Sequence, residues 1–227
     1  MLDSTNRNIH HDSNIRTFEH SNAFRRAFTL VEMLVVIGII AILVGAGLTG
    51  YNAAISKAQT AKAVELVHEV ATALTQIYQK DDAWPRTIIA EGKKGDGQLT
   101  PEVGGVLAKR GALTLSYDRQ ERDGAMHYVL TGRNKFGILT PWADEFVKKQ
   151  IKRGNLSLTS KVPTGGTLED HRLRFAIDDD GDGKVTLSGD GVTGTFRATV
   201  CVWCCGKDGV FGTKDDVRSW AEGQEVR

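Results

Sequence analysis

Three stretches with different spacing of apolar residues divide the chain. The first, Phe28 to Leu48, is 21 residues long and carries a single charge, Glu32. At about 1.5 Å per residue it spans roughly 30 Å, the thickness of a bilayer's hydrocarbon core. In the second stretch Val64, Val67, Ala71, Leu74 and Tyr78 recur at three- and four-residue steps, which predicts an amphipathic helix continuing from the first. That helix should stop near Lys80, because Asp81 and Asp82 break the stripe and Trp84 precedes Pro85. The third stretch alternates with period two. Leu173, Phe175 and Ile177 interleave with Arg172, Arg174 and Ala176, and Phe196, Ala198, Val200 and Val202 with Arg197, Thr199, Cys201 and Trp203. These predict half-buried strands, with a further short helix at Asp144 to Lys152. The helix stripe is the natural cover for their apolar side, so the expected fold is α+β: a long N-terminal helix packed on a small antiparallel sheet.

Charge narrows the class of protein. The chain has 29 basic and 28 acidic residues. The first 27 residues hold Arg7, Arg16, Arg25 and Arg26 against Asp3, Asp12 and Glu19, which leaves 25 of each sign beyond them. A neutral balance offers no electrostatic footprint for nucleic acid. The portion after the long helix suffices for one core.

A carboxylate inside an apolar run costs a few kcal/mol unless it reaches the headgroups or has a partner. The segment before the run does not read as a secretory signal: 27 mostly polar residues end in Arg25, Arg26 and the small Ala27, with no small-residue cleavage site after the apolar run. The paired arginines place this end in the cytoplasm. Ala27, Phe28, Thr29, Leu30, Val31 and Glu32, followed by the apolar helix, resemble the class III leader junction of type IV pilins and pseudopilins. The resemblance implies cleavage between Ala27 and Phe28 by prepilin peptidase and N-methylation of Phe28. It implies that Glu32 pairs with the terminal amine of a neighbouring subunit during assembly. The departures are Ala27 in place of glycine and Thr49 where many members have a kinking proline. The implied division is a leader over 1–27, a long helix over 28–80 that is transmembrane over about 28–48, and a periplasmic domain over 81–227.

Two carboxylate-rich loops are the candidate ligand sites. In "IDDDGDGKVTL", Asp178, Asp180 and Asp182 alternate, Gly183 follows, and Lys184 offers a carbonyl; this is the first half of an EF-hand-like calcium loop. The second half is missing, since Gly189 stands where an acidic ligand belongs and only Asp190 lies near, so a solvated turn is an equal reading. In "CCGKDGVFGTKDDVRSW", Asp208, Asp215 and Asp216 lie on a glycine-rich loop, and spacing alone would suit a plain turn as well. With Gly206, Gly209, Gly212, Thr213, Val217, Ser219 and Trp220, this segment resembles the C-terminal calcium loop of the major pseudopilin of type II secretion. The resemblance implies side-chain ligation of Ca2+ by Asp208, Asp215 and Asp216, with the carbonyl of Cys205 and an oxygen of Thr213 beside them. It covers about 25–85 and 196–220, and Ile88 to Thr167 matches neither part.

Cys201, Cys204 and Cys205 include a C-x-x-C spacing, but a structural zinc site needs four ligands and the nearest upstream histidine, His171, is 30 residues from Cys201. Adjacent strand residues seldom have disulfide geometry, so buried thiols packing as small hydrophobes are expected. No G-x-S-x-G element, phosphate loop or H-E-x-x-H motif occurs, and three of the six histidines fall in the leader, so no enzyme is expected. The expected function is a subunit of a type II secretion pseudopilus in the bacterial inner membrane, with itself, minor pseudopilins, prepilin peptidase and the inner-membrane secretion platform as partners. The alternatives are a type IV pilus subunit for adhesion or motility, and a membrane-tethered calcium-binding domain that does not polymerise.

Overall fold

The computed structural model describes residues 28–221 and residue 225, apart from the side chains of residues 46–50 and 153. The leader, including Ala27, lies outside the described residues. Helix α1 runs over Leu30–Asp81. It ends where expected: Asp82 donates its N–H to the Tyr78 carbonyl (2.8 Å) and adopts a left-handed φ of 49°, and Trp84 and Pro85 follow. Two compact units divide at Thr49 and Gly50. In the first, Leu30, Leu34, Ile37, Ile40 and Leu43 are exposed. Among the described residues no helix is long and apolar enough to cross a membrane; the expected span over 28–48 runs into residues whose side chains are not described.

The second unit carries the remaining elements. These are α2 (Arg86–Gly92), β1 (Gly97–Gln98), α3 (Pro101–Lys109), β2 (Tyr117–Arg122), β3 (Ala125–Leu130), α4 (Pro141–Gln150), β4 (Arg174–Ile177), β5 (Lys184–Gly189), β6 (Val192–Arg197), β7 (Val200–Cys204) and β8 (Val217–Arg218). The main sheet has the order β1-β4-β7-β8, each neighbouring pair antiparallel, while β2–β3 and β5–β6 form separate hairpins. The fold is α+β and pilin-like. The expected helix over 144–152 is α4, which starts earlier because Pro141 fits the first helical turn after Thr140.

Three expectations are corrected. The buried face of α1 is Ala63, Val67, Val70, Ala73, Leu74 and Ile77, whereas Val64 is 41% exposed. Val67 and Leu74 lie on this face as expected and Ala71 and Tyr78 pack at its edge, while small alanines complete it where Val64 does not. The strands are not half-buried: every residue of β4 and β7 is buried. Phe175, Ile177, Val200, Val202 and Cys204 pack with the α1 face, while Ala176, Cys201 and Trp203 pack with Val185, Leu187, Val192 and Phe196 of the β5–β6 hairpin. The sheet is covered on both sides, so alternation selects a partner rather than solvent. The single strand expected from Phe196 to Trp203 is likewise two, β6 and β7, with a break at Ala198 and Thr199. The unmatched middle of the chain builds α2, α3, the β2–β3 hairpin and α4. Gly104 and Gly105 let α3 lie directly on β3: a Cβ at Gly105 would meet the Tyr128 carbonyl at 2.1 Å.

Candidate functional site

At the start of α1, Thr29 caps the helix and Glu32 reciprocates. The Thr29 N–H and hydroxyl each donate to Glu32 Oε2 at 2.8 Å, and the Glu32 N–H donates to Thr29 Oγ1 at 3.2 Å. This is a capping box, and its T-x-x-E signature was present in the sequence without being used. Glu32 thus has a local partner, beside the residue expected to become the new terminus, Phe28, which is 72% exposed.

The first acidic loop follows β4. Asp178 is 6% exposed, and its carboxylate accepts from the Gly181 N–H (2.7 Å) and the Gly183 N–H (2.8 Å). Its carbonyl accepts from Trp84 Nε1 at 2.7 Å, which fastens the loop to the end of α1. Asp180 accepts from the Asp182 N–H (3.2 Å), and Asp182 from the Lys184 N–H (2.8 Å). One oxygen from each of Asp178, Asp180 and Asp182 lies within 4.8 Å of the others. The Lys184 ammonium stands 3.4 Å from Asp182 as a built-in counter-ion. A small cavity of about 140 Å3 adjoins Asp179, Asp180 and Asp182. Three converging carboxylates suit a hard cation, with further oxygens to come from carbonyls or water.

The second loop connects β7 to β8 and is arranged differently. Asp215 accepts from the Lys207 N–H (2.7 Å) and from the Thr213 hydroxyl (2.6 Å). Asp216 accepts from the Gly212 N–H (2.7 Å) and stands 3.3 Å from the same hydroxyl. Asp208 accepts from the Val210 N–H (2.9 Å). Asp215, Asp216 and Thr213 therefore meet, while Asp208 does not join them: among the described residues the Asp178 group is the convergent set of three. Burial pushes the Asp215 carboxyl up, but the bonds from Thr213 and Lys207 outweigh it and leave it below the ordinary value. Burial wins at Asp216, whose carboxyl is held above the ordinary value despite the bonds from Gly212 and Thr213. One hydroxyl proton shared by two carboxylates, one of them resisting ionisation, is a donor set that a cation would complement.

Behind this loop lies a buried group that sequence spacing concealed. His171 Nε2 is 2.9 Å from the Gly165 carbonyl; a carbonyl only accepts, so Nε2 carries the proton and Nδ1 accepts from the Thr140 hydroxyl at 2.7 Å. The Cys205 Sγ lies 3.3 Å from the Asp170 carbonyl and 3.5 Å from His171 Nδ1. Burial lowers the imidazole's basicity and raises all three thiols, Cys201 and Cys204 up to about 12. The thiols are free and buried, as expected, and inert as nucleophiles. Cys201 and Cys204 lie in different core clusters, so His171 and Cys205 do not extend to a four-ligand zinc site.

Residues 23–48 match the model of the prokaryotic N-terminal methylation motif. The chain is 31% identical over 96 residues to the type IV major pilin protein PilE of Neisseria gonorrhoeae, covering 42% of this chain and 58% of that one. To a fimbrial protein of Neisseria meningitidis serogroup B it is 29% identical over 94 residues, covering 41% and 55%. The chain thus spans a little over half the length of these curated relatives. No solved structure matches it. The chain is thus similar to type IV pilins and carries the methylation motif at the head of its long helix.

Proposed function

We propose that this chain is a structural subunit of a type II secretion pseudopilus, cleaved between Ala27 and Phe28, methylated on Phe28 and polymerised through α1. The observation that carries the reading is the leader junction continuing into a helix whose apolar residues, Leu30 to Leu43, are exposed. A helix that is apolar all round is stable only inside a membrane or against other apolar helices. Residues 28–48 serve both ends in turn: they anchor the subunit in the inner membrane, with residues 81–227 in the periplasm, and then pack in the filament. Glu32 meets the methylated amine of the next subunit there, because a carboxylate in low dielectric is favourable only when matched. Prepilin peptidase, minor pseudopilins and the secretion platform are the proposed partners, and the role is structural rather than enzymatic.

Ca2+ is the proposed ligand of the C-terminal loop, through Asp215, Asp216 and Thr213 with Asp208 and the Cys205 carbonyl. The Asp178, Asp180, Asp182 and Lys184 loop is the second proposed site. The free, buried cysteines support the cation reading over a disulfide-closed C-terminal loop. A type IV pilus subunit is the second reading, favoured by the pilin names of the relatives.

The test is to produce the full chain with a prepilin peptidase and secretion platform. Mass spectrometry should find N-methyl-Phe28 as the first residue, and Glu32→Ala should be processed yet form no filaments. A processed Glu32→Ala subunit that still polymerised would remove assembly from the role of Glu32.

A further inference from the structure

The C-terminal loop is held from outside by backbone contacts that leave no room for side chains. Residues 162–166 form a tight turn, with the Val162 N–H donating to the Gly166 carbonyl and the Gly165 N–H to the Val162 carbonyl, both at 3.0 Å. Gly165 has a φ of 142°, and a Cβ there would lie 1.9 Å from the Asp208 carbonyl oxygen. From the other side, a Cβ at Gly209 would lie 2.8 Å from the Gly165 carbonyl oxygen. The two segments therefore meet main chain to main chain. The turn is itself anchored: His171 donates to the Gly165 carbonyl, and Asp170 accepts from both the N–H (2.8 Å) and hydroxyl (2.7 Å) of Thr167. Farther along the loop, the buried Arg174 pairs with Asp190 and lies 5.0 Å from the centre of the Phe211 ring.

We propose that the turn at 162–166 is a brace that positions the C-terminal loop, fixing Asp208 and Gly209 so that the loop keeps its shape without a cation. The middle of the chain, which resembles neither matched segment, acquires a role here: it shapes one of them. Loops of this kind, rich in glycine and exposed backbone, otherwise open at little free-energy cost. The brace touches the main chain of Asp208 and Gly209, while Thr213, Asp215 and Asp216 meet farther along the loop, so a cation held there would restrain the loop at other residues. Only this last statement rests on the cation reading of the previous section.

The experiment is amide hydrogen exchange of the full chain in detergent, with chelator present, for the wild type, Gly165→Ala and Gly154→Ala. Gly154 also has a positive φ, 78°, but nothing lies within 4 Å of a Cβ placed there, so it reports backbone strain without the contact. Gly165→Ala should speed exchange over residues 206–213 by about tenfold or more, with β4 and β7 unchanged and Gly154→Ala like the wild type. Exchange in the loop within about twofold of the wild type, or equal acceleration in β4 and β7, would overturn the brace. Should Gly165→Ala fail to fold, Thr167→Val loosens the turn without a clash, and the same local acceleration is required of it. Repeating the series with calcium separates the two readings. If calcium slows exchange in the braced and unbraced loop alike, both stand; if it changes neither while Gly165→Ala still loosens the loop, the cation reading fails and the brace stands.

Discussion

The two acidic loops lie at opposite ends of the antiparallel β4–β7 pair, and they are organised by different forces. The Asp178 loop is built from its own residues. Alternate carboxylates fold back onto the amides of Gly181, Gly183, Asp182 and Lys184, and the three side chains converge as a consequence. The C-terminal loop has three carboxylates, yet Asp208 turns to its own neighbour, and only Asp215 and Asp216 share a donor. Its carboxylates also accept from amides of the loop, and distant segments hold it as well, through Gly165, Arg174 and the Cys205 contact with Asp170. The first loop is thus shaped mainly from within, and the second from within and from distant segments together.

The largest effect that would sharpen this contrast is at Asp178. Replacing it with alanine removes a buried carboxylate that accepts from the Gly181 and Gly183 amides, a cost of about 2–3 kcal/mol for two such bonds. In a thermal melt of the full chain in detergent with chelator, the midpoint should fall by roughly 5–10 °C, against a change within about 0.5 kcal/mol for Asp208→Ala. Equal losses at the two aspartates would break the distinction.

Calcium comes next. A ligand at a hundredfold excess over its Kd adds about 2.7 kcal/mol per site. Asp180→Ala and Asp216→Ala should each remove part of the calcium-dependent rise in midpoint, and together all of it. A rise left whole in Asp216→Ala would confine the cation to the Asp178 loop.

Smaller again is Trp84→Phe, which keeps an aromatic ring against Tyr78 (4.8 Å between ring centres) and removes the bond to the Asp178 carbonyl with part of the buried indole. It should cost about 1 kcal/mol, read in the same melt. The smallest effect is at Asp216, and its sign matters more than its size. A carboxyl whose pKa is raised in the fold contributes most below its unfolded value and loses that contribution as pH rises through the folded one. Asp216→Asn should therefore be neutral or slightly stabilising at neutral pH in chelator, by at most about 0.5 kcal/mol for a half-exposed group. Lowering the pH through the carboxylate range should erase that gain, and adding calcium should turn it into a loss. Asp215, with its lowered pKa, runs the other way: its contribution is present above the ordinary carboxylate value and lost as pH falls through the folded one.

Much of the fold was legible because its signals are local. Helix α1 and its end at Asp82 follow from periodicity and from Trp84 preceding Pro85, and the Asp178 loop from its alternate carboxylates. The face of α1 was misjudged because Ala63 and Ala73 carry little hydrophobic signal yet pack as fully as leucine. The half-buried strands were misjudged because alternation does not tell solvent from a second cover, here the β5–β6 hairpin. Thr29 was passed over as a helix cap although its signature with Glu32 stood in the sequence.

By itself the sequence determined the apolar run, the leader junction and the alternate carboxylates of Asp178, Asp180 and Asp182, since each depends on residues within one helix or one turn. Only the tertiary structure decided that His171 reaches Thr140 and the Cys205 thiol, and that Gly165 meets Asp208. The reason is physical: a contact between backbones at a glycine leaves no side chain to announce it, and partners separated by more than 30 residues share no period. Where such segments meet is settled by the packing of the whole core.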